Sequence, residues 1–306
     1  MTPVGPAGRP AGSLISPAQN TWCPGCGNFS IQHMMKSAIA ELAEDEGIPL
    51  ENFVILGGIG CHGKLADYLN VNSFYGIHGR SVPAATGIRL ANPDLKVICH
   101  VGDGDIYAEG LDHLIFAAKR NSDITVIVHD NRVYGLTTGQ YTPTSPTGFK
   151  GRSTPGGITE HPINPLEVML AAGATYIARG YTKKVRNLKD LFKEAIMHRG
   201  FSFVDVLQIC ATYFNLTDYY NAHAYELAEG DVETGRFESA LAKIREWDYD
   251  RDAPIALGTF YSVEKPIYEE KFQALTAGRP DRRALVRKVL EELRLRPDRD
   301  PHIISG

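Results

Sequence analysis

Long apolar runs are missing from this sequence. No stretch approaches the roughly 20 consecutive apolar residues needed to cross a bilayer, which speaks against a membrane-spanning chain. Basic clusters are missing too. The 32 Lys and Arg are scattered among 36 Asp and Glu, for a formal net charge of −4, so neither nucleic acid nor an anionic membrane is an expected partner. The stretch from Met1 to Pro17 is rich in Pro, Gly and Ala but lacks an apolar core followed by a cleavage site. It reads as a flexible arm rather than a signal peptide, and a cytoplasmic location is expected. There is no internal repeat and no low-complexity block. Cysteine is scarce and odd in number: Cys23, Cys26, Cys61, Cys99 and Cys210. That argues against a disulfide framework and leaves metal or redox chemistry as the better explanation of Cys23 and Cys26.

What is present suffices for one large α/β domain with extensions, or two modest domains, in 306 residues. Apolar periodicity predicts a helix from Phe29 to Glu44, and Asn52 to Leu56 reads as a buried strand ending in Gly57-Gly-Ile-Gly60. Pro83 to Leu90 predicts a short helix. Val97 to Val101 is a continuous apolar strand ending in Gly102-Asp-Gly-Asp105. A helix from Glu109 to Arg120 leads to a second buried strand, Ile124 to His129, ending in Asp130-Asn131; together these make a βαβ unit. Thr137 to Pro165 is a long polar loop of the kind that carries function. Helices at Pro165 to Ala172 and Asn187 to His198 alternate with strands at Thr175 to Ala178 and Ser202 to Ile209. Beyond Tyr225 the chain is more charged, with surface helices expected at Glu233 to Trp247 and Asp281 to Leu295. The fold class is therefore α/β, a doubly wound, mostly parallel sheet. The expected organisation is an arm over 1–17, a cofactor-binding domain over 18–225, and a C-terminal extension over 226–306 that contacts other subunits.

In a parallel sheet, ligands bind beyond the carboxyl ends of the strands. Asp103 and Asn131 follow two strands joined by one helix, so both reach one crevice. A carboxylate oxygen, an amide oxygen and the Val133 carbonyl are hard donors suited to Mg²⁺, which completes its octahedron with phosphate and water. Gly102 and Gly104 would let backbone approach a diphosphate, with the next helix pointing its N-terminus at it. The plainer reading is an ordinary Gly-Asp turn, which the Asn at the end of the next strand makes less apt. A Rossmann site is a poorer fit, because the sequence has Asp130-Asn-Arg after the second strand in place of a lone acid. A calcium loop fails because the ligands lie far apart.

Soft thiolates suit iron–sulfur clusters or zinc. Cys23 and Cys26 flank a Pro-Gly turn, while Cys61 and Cys210 each follow a strand, so four sulfurs could converge near the crevice. Spacing alone leaves zinc open. Cys99 lies mid-strand among apolar residues and reads as core.

Gly-Asp-Gly, a helix, then Asp-Asn resembles the thiamine-diphosphate motif. Trp22-Cys-Pro-Gly-Cys-Gly27, Gly58-Ile-Gly-Cys61, His78-Gly-Arg80, Gly102-Asp-Gly-Asp105 and the run from His129 to Thr144 resemble, in order, the β-subunit of 2-oxoacid:ferredoxin oxidoreductases. The resemblance covers roughly residues 15 to 275. It implies that Cys23, Cys26, Cys61 and Cys210 hold a [4Fe–4S] cluster, while Asp103, Asn131 and Val133 hold Mg²⁺. Ile59, Gly60, Cys61, His62, His78, Gly79, Gly102, Asp103, Gly104, Asp105, Asn131, Val133, Tyr134, Gly135, Leu136 and Thr137 would line the thiamine diphosphate. His78, Arg80 and Lys64 would act on substrate, with Lys64 pairing a carboxylate; the plainer readings are a structural loop histidine and a surface lysine. His62 stands where the family pattern has serine, which unsettles detailed transfer at this turn.

The resemblance further implies CoA-dependent oxidative decarboxylation of a 2-oxoacid, with electrons passed singly to ferredoxin and a reverse, CO₂-fixing direction feasible, as in a reductive TCA cycle. The first choice of substrate is 2-oxoglutarate, giving succinyl-CoA; the second is pyruvate. A thiamine-dependent decarboxylase or synthase without electron transfer, and a scaffold subunit with a degenerate thiamine site, are the other readings. The Glu that activates the aminopyrimidine ring is not assignable here. An α-subunit is expected to supply it, in an (αβ)₂ assembly.

Overall fold

In the computed structural model, residues 14–271, 284, 286–288 and 291 are described. The chain divides into two compact units, Met1–Glu269 and Glu270–Gly306. The first carries the sheet. In the second, residues 284, 286–288 and 291 are helical, and the rest of the helix expected from Asp281 to Leu295 lies outside the described residues.

Eight strands form one sheet: β1 (Phe53–Gly57), β2 (Asn72–Tyr75), β3 (Lys96–Gly102), β4 (Thr125–Asp130), β5 (Tyr176–Tyr181), β6 (Ser202–Leu207), β7 (Ala224–Glu226) and β8 (Ile255–Ser262). Their order is β2-β1-β3-β4-β6-β5-β8-β7. The strands from β2 to β5 in that order run parallel, and β8 is antiparallel to β5. The expected mostly parallel, doubly wound α/β sheet is what is found.

Alternation along each strand divides the core. Val54, Leu56, Val97, Cys99, Val101, Val126 and Val128 face one side, where α3 (Ser81–Ala91), α4 (Leu111–Arg120), α5 (Pro165–Ala172) and α8 (Phe237–Ile244) cover them. Phe53, Ile55, Ile98, Ile127, Val204 and Val206 face the other, under α1 (Asn28–Asp45), α2 (Leu65–Tyr68) and α6 (Val185–Met197). A strand covered on both faces carries no polar alternation, which is why β1, β3 and β4 are legible as continuous apolar runs. Cys99 is fully buried among these side chains, as expected of a core residue.

Several elements differ from expectation. The helix read from Glu109 begins at Leu111, and a π-helical turn, Gly104–Ala108, precedes it. β2 is exposed at all four positions, so no burial pattern announces it. β7, at the junction with the expected extension, and β8, within it, prolong the sheet, although the surrounding charge suggests an extension. α7 (Thr217–His223) is also added. At the N-terminal end, residues 1–13 of the expected arm lie outside the described residues. Leu14 is buried, and its carbonyl accepts the Asn70 N–H at 2.7 Å while the Ser16 N–H reaches the Tyr68 carbonyl at 3.2 Å, so these residues are held in place.

Candidate functional site

The strand order sets the site. From β1 the chain moves outward to β2; from β3 it moves the other way, through α4 to β4. Loops diverging in opposite directions leave a crevice beyond the carboxyl ends of β1 and β3, the topological switch point of an open sheet. Gly57 is paired with His100, Gly102 with His129, and Asp130 with Leu207, so the turns after β1, β3, β4 and β6 emerge along one edge.

Asp103 and Asn131 therefore stand on adjacent strands. Asp103 is 2% exposed, and Thr144 Oγ1 donates to its Oδ2 at 3.1 Å and to Asp130 Oδ1 at 2.9 Å. Burial pushes the Asp103 carboxyl up to about 6, against the Thr142 and Thr144 hydroxyls and His62. A buried carboxylate is costly, and a divalent cation would relieve it. Asn131 donates from Nδ2 to Gln208 Oε1 at 2.7 Å, and its Oδ1 accepts the Val133 N–H at 3.1 Å. The next residue, Arg132, adopts φ 61°, a left-handed conformation rare outside glycine, and is buried with its Nε donating to the Thr144 carbonyl at 2.6 Å. The turn is thus held in a strained shape with two carboxylates beneath it. These hard oxygens fit a Mg²⁺–diphosphate.

The glycines of the motif make room first for neighbouring side chains. A Cβ at Gly102 would lie 2.5 Å from His62 Nδ1, and one at Gly104 2.3 Å from Tyr134 Cε1. Tyr134 OH in turn donates to Glu109 Oε1 at 2.9 Å.

The four cysteines come from distant segments but share this edge. Trp22 Nε1 donates to the Cys61 carbonyl at 2.7 Å, and the Gly27 N–H donates to the Ile209 carbonyl at 2.9 Å, tying the Cys23–Cys26 turn to the segments that carry Cys61 and Cys210. A Cβ at Gly135 would lie 3.6 Å from Cys210 Sγ and 3.8 Å from Cys61 Sγ. Burial pushes the Cys26 thiol up to about 12, with Cys61, Cys210 and Cys23 adding to the rise. Burial also raises Cys61, which Lys64 opposes. Thiols that repel one another as thiolates want a shared cation or cluster, whose binding must displace their protons. Among the described residues no three His, Cys, Asp or Glu side chains are set to hold a single metal ion.

The other expected residues divide into two groups. Ile59, Leu136, His78 and Tyr134 sit at the exposed or half-exposed rim: Ile59 is 40% and Leu136 49% exposed. Thr137 Oγ1 donates to Gln140 Oε1 at 2.6 Å, and Gly60, Gly79 and Gly135 lie in the same turns. Lys64 Nζ donates to Thr21 Oγ1 at 2.9 Å beside the cysteines, and Arg80 Nη1 donates to the carbonyls of His78 and Glu109. His62 and Asp105, also expected at the cofactor, are buried beneath the turns and face each other at 3.5 Å. The cause is local: Gly60 and Gly102 lack the side chains that would keep the His62 ring out. Burial works to raise the Asp105 carboxyl, yet His62, the Gly79 N–H and His78 hold it below its ordinary value. Sequence reading misses Thr144, Glu109 and Gln208. Thr144 lies 41 residues from Asp103 in an aperiodic loop, where no pattern could pair them.

Comparison with known proteins places the chain in a family. Residues 58–206 match the family described as thiamine pyrophosphate enzyme, C-terminal TPP binding domain. Residues 210–277 match the family of the C-terminal segment of the pyruvate ferredoxin oxidoreductase beta subunit. The chain is 40% identical over 277 residues to a 2-oxoacid:ferredoxin oxidoreductase subunit beta from Sulfolobus sp., covering 86% of this chain and 88% of the relative. It is 34% identical over 257 residues to the 2-oxoglutarate synthase subunit KorB of Methanocaldococcus jannaschii, covering 83% and 92% respectively. A solved 2-oxoglutarate:ferredoxin oxidoreductase from Magnetococcus marinus, with 2-oxoglutarate, coenzyme A and succinyl-CoA bound, superposes with a TM-score of 0.83 at 31% identity, over 92% of this chain and 96% of that one.

Proposed function

Since this chain belongs to the 2-oxoacid:ferredoxin oxidoreductase β-subunit family, we propose that it holds Mg²⁺–thiamine diphosphate and one [4Fe–4S] cluster at the carboxyl edge of its sheet and oxidises 2-oxoglutarate to succinyl-CoA. Asp103, Asn131 and the Val133 carbonyl would hold the cation, with the glycine turns around the diphosphate. Cys23, Cys26, Cys61 and Cys210 would hold the cluster. Bound there, thiamine diphosphate supplies carbanion chemistry and the cluster accepts electrons one at a time. Leu136, half-exposed on the loop after Asn131, offers an apolar side chain against the bent cofactor. Lys64 offers an ammonium to a substrate carboxylate, and His78 a ring nitrogen to a substrate oxygen. A partner α-subunit would close the crevice and contribute the activating Glu, in an (αβ)₂ enzyme located in the cytoplasm, with coenzyme A taking the acyl group and ferredoxin the electrons.

The observation that carries this reading is the adjacency of two donor sets of opposite character. Hard oxygens gather at the ends of β3 and β4, and soft sulfurs gather around Gly135, four residues after Asn131. A decarboxylase without electron transfer has no use for the second set. Pyruvate is the competing substrate, favoured by the match of residues 210–277 to a pyruvate ferredoxin oxidoreductase segment. Anaerobic co-expression with the α-subunit, followed by 2-oxoacid-dependent reduction of a low-potential dye, tests the proposal. Activity with 2-oxoglutarate is expected. Activity with pyruvate alone overturns the substrate, and a colourless protein overturns the cluster.

A further inference from the structure

We propose that Asp105 is a positioning residue for the 2-oxoacid reaction, its carboxylate fixing the His78 imidazole so that Nδ1 faces the protein and Nε2 faces the crevice. The inference rests on the functional reading above and on geometry that reading does not use. Asp105 is 2% exposed, in the π-helical turn after β3. Its Oδ1 lies 2.8 Å from His78 Nδ1 and accepts the Gly79 N–H at 2.7 Å and the Ile59 N–H at 3.4 Å. One oxygen therefore gathers the turns that follow two other strands, β1 and β2.

The other oxygen, Oδ2, is backed by His62, whose Nε2 lies 3.5 Å away. Neither atom has a hydrogen-bond partner, and the space between them is closed: a Cβ on Gly58 would sit 1.9 Å from Oδ2 and 3.0 Å from His62 Nε2. The carboxylate is thus clamped between two imidazoles and cannot turn away from His78. Glu109 Oε2, 3.6 Å from His78 Nδ1, adds a second acceptor on the same edge of the ring. The His78 side chain is 35% exposed, with the Tyr134 ring 6.3 Å away on its flank.

The two ring nitrogens of an imidazole lie on opposite edges, so anchoring Nδ1 aims Nε2. His78 Nδ1 is buried 2.8 Å from Asp105 Oδ1 as an ion-pair contact rather than a hydrogen bond, so Nε2 is the atom left to accept a proton at the crevice. When it does, the imidazolium charge is balanced by the carboxylate behind it. Orienting pairs of this kind are how a general base is held in one tautomer and one direction.

The test uses the assembled complex with its partner subunit. Asp105→Asn keeps the shape and an acceptor for the Gly79 N–H but removes the charge. It is expected to lower kcat about tenfold or more, with the KM for the 2-oxoacid and the Kd of thiamine diphosphate, titrated into cofactor-stripped complex, within about threefold of wild type. In a His78→Gln background the same change should cost little more. A wild-type kcat in Asp105→Asn, or a loss that adds in full to that of His78→Gln, reduces Asp105 to a structural role and overturns the proposal. A measurement on the wild-type complex needs no variant: iodoacetamide should alkylate His78 at Nε2, and an Nδ1 adduct identified by peptide mass spectrometry overturns it as well. A wild-type complex that neither binds thiamine diphosphate nor reduces a dye with any 2-oxoacid sinks the functional reading itself, a distinct failure.

Discussion

Replacing Asp103 by Asn should stabilise the metal-free chain while removing its response to the cofactor. The carboxyl is 2% exposed and is pushed from its ordinary 3.8 to about 6, chiefly by burial. At neutral pH the side chain is ionised in both the folded and the unfolded chain, so the fold carries the desolvation penalty. That penalty, shared with the buried Asp130 carboxyl beside it, is on the order of 2–3 kcal/mol. Because the folded value is the higher one, the carboxyl's contribution is fully present below 3.8 and is lost as pH rises through 6. An asparagine escapes that loss and can still accept from Thr144. Urea unfolding of the metal-free, reduced chain should therefore show Asp103→Asn ahead by about 2–3 kcal/mol near pH 7.5 and level with wild type near pH 4. Adding Mg²⁺ and thiamine diphosphate reverses the ranking. At about 1,000 times Kd, wild type should gain about 4.1 kcal/mol and the variant nothing. A variant less stable than wild type at neutral pH, or one that Mg²⁺–thiamine diphosphate stabilises equally, refutes the reasoning that this carboxylate is kept for a cation.

Other residues give further tests. Lys64→Ala should raise the KM for 2-oxoglutarate about 10- to 100-fold and leave that for pyruvate nearly unchanged, since one charge-assisted hydrogen bond contributes about 1.5–3 kcal/mol; equal effects on both substrates would count against a contact with the distal carboxylate. Cys210→Ser should bleach the broad visible absorption of the anaerobically purified complex, and an unchanged spectrum would remove Cys210 from the cluster ligands. Thr144→Val takes the shared donor from Asp103 and Asp130 and should cost about 1–3 kcal/mol in urea unfolding at neutral pH, together with weaker thiamine diphosphate binding by titration calorimetry; a neutral effect would mean the hydroxyl is dispensable.

The sheet's centre is legible because a strand buried on both faces leaves a mostly apolar run without period-two alternation, as in Val97 to Val101 and Ile124 to His129. Helices with one apolar stripe are equally plain: Pro165–Ala172 is found where its Pro and its apolar spacing predict it. What stays hidden has no local signature. β2 is exposed along its length, and β8, between β5 and the edge strand β7, lies inside a charged stretch. At the site, the ligand types can be named because each stands at a strand tip. The supports cannot. The clasp of Asp105 between His62 and His78, and the hydroxyl of Thr144 bridging two carboxylates, join residues whose spacing in sequence carries no period. His62 and Asp105 flank motif residues, so the sequence alone sets them at the cofactor. Only packing against Gly60 and Gly102 reveals that they lie beneath the turns.

The hydrogen bond from Gly27 to Ile209 joins a turn near the start of the chain to the last residue before its final cysteine. A nascent polypeptide leaving the ribosome cannot offer all four sulfurs until the sixth strand has docked beside the fourth. Loading of any shared centre must then come after closure of a very long loop, and cluster incorporation would report that assembly is complete.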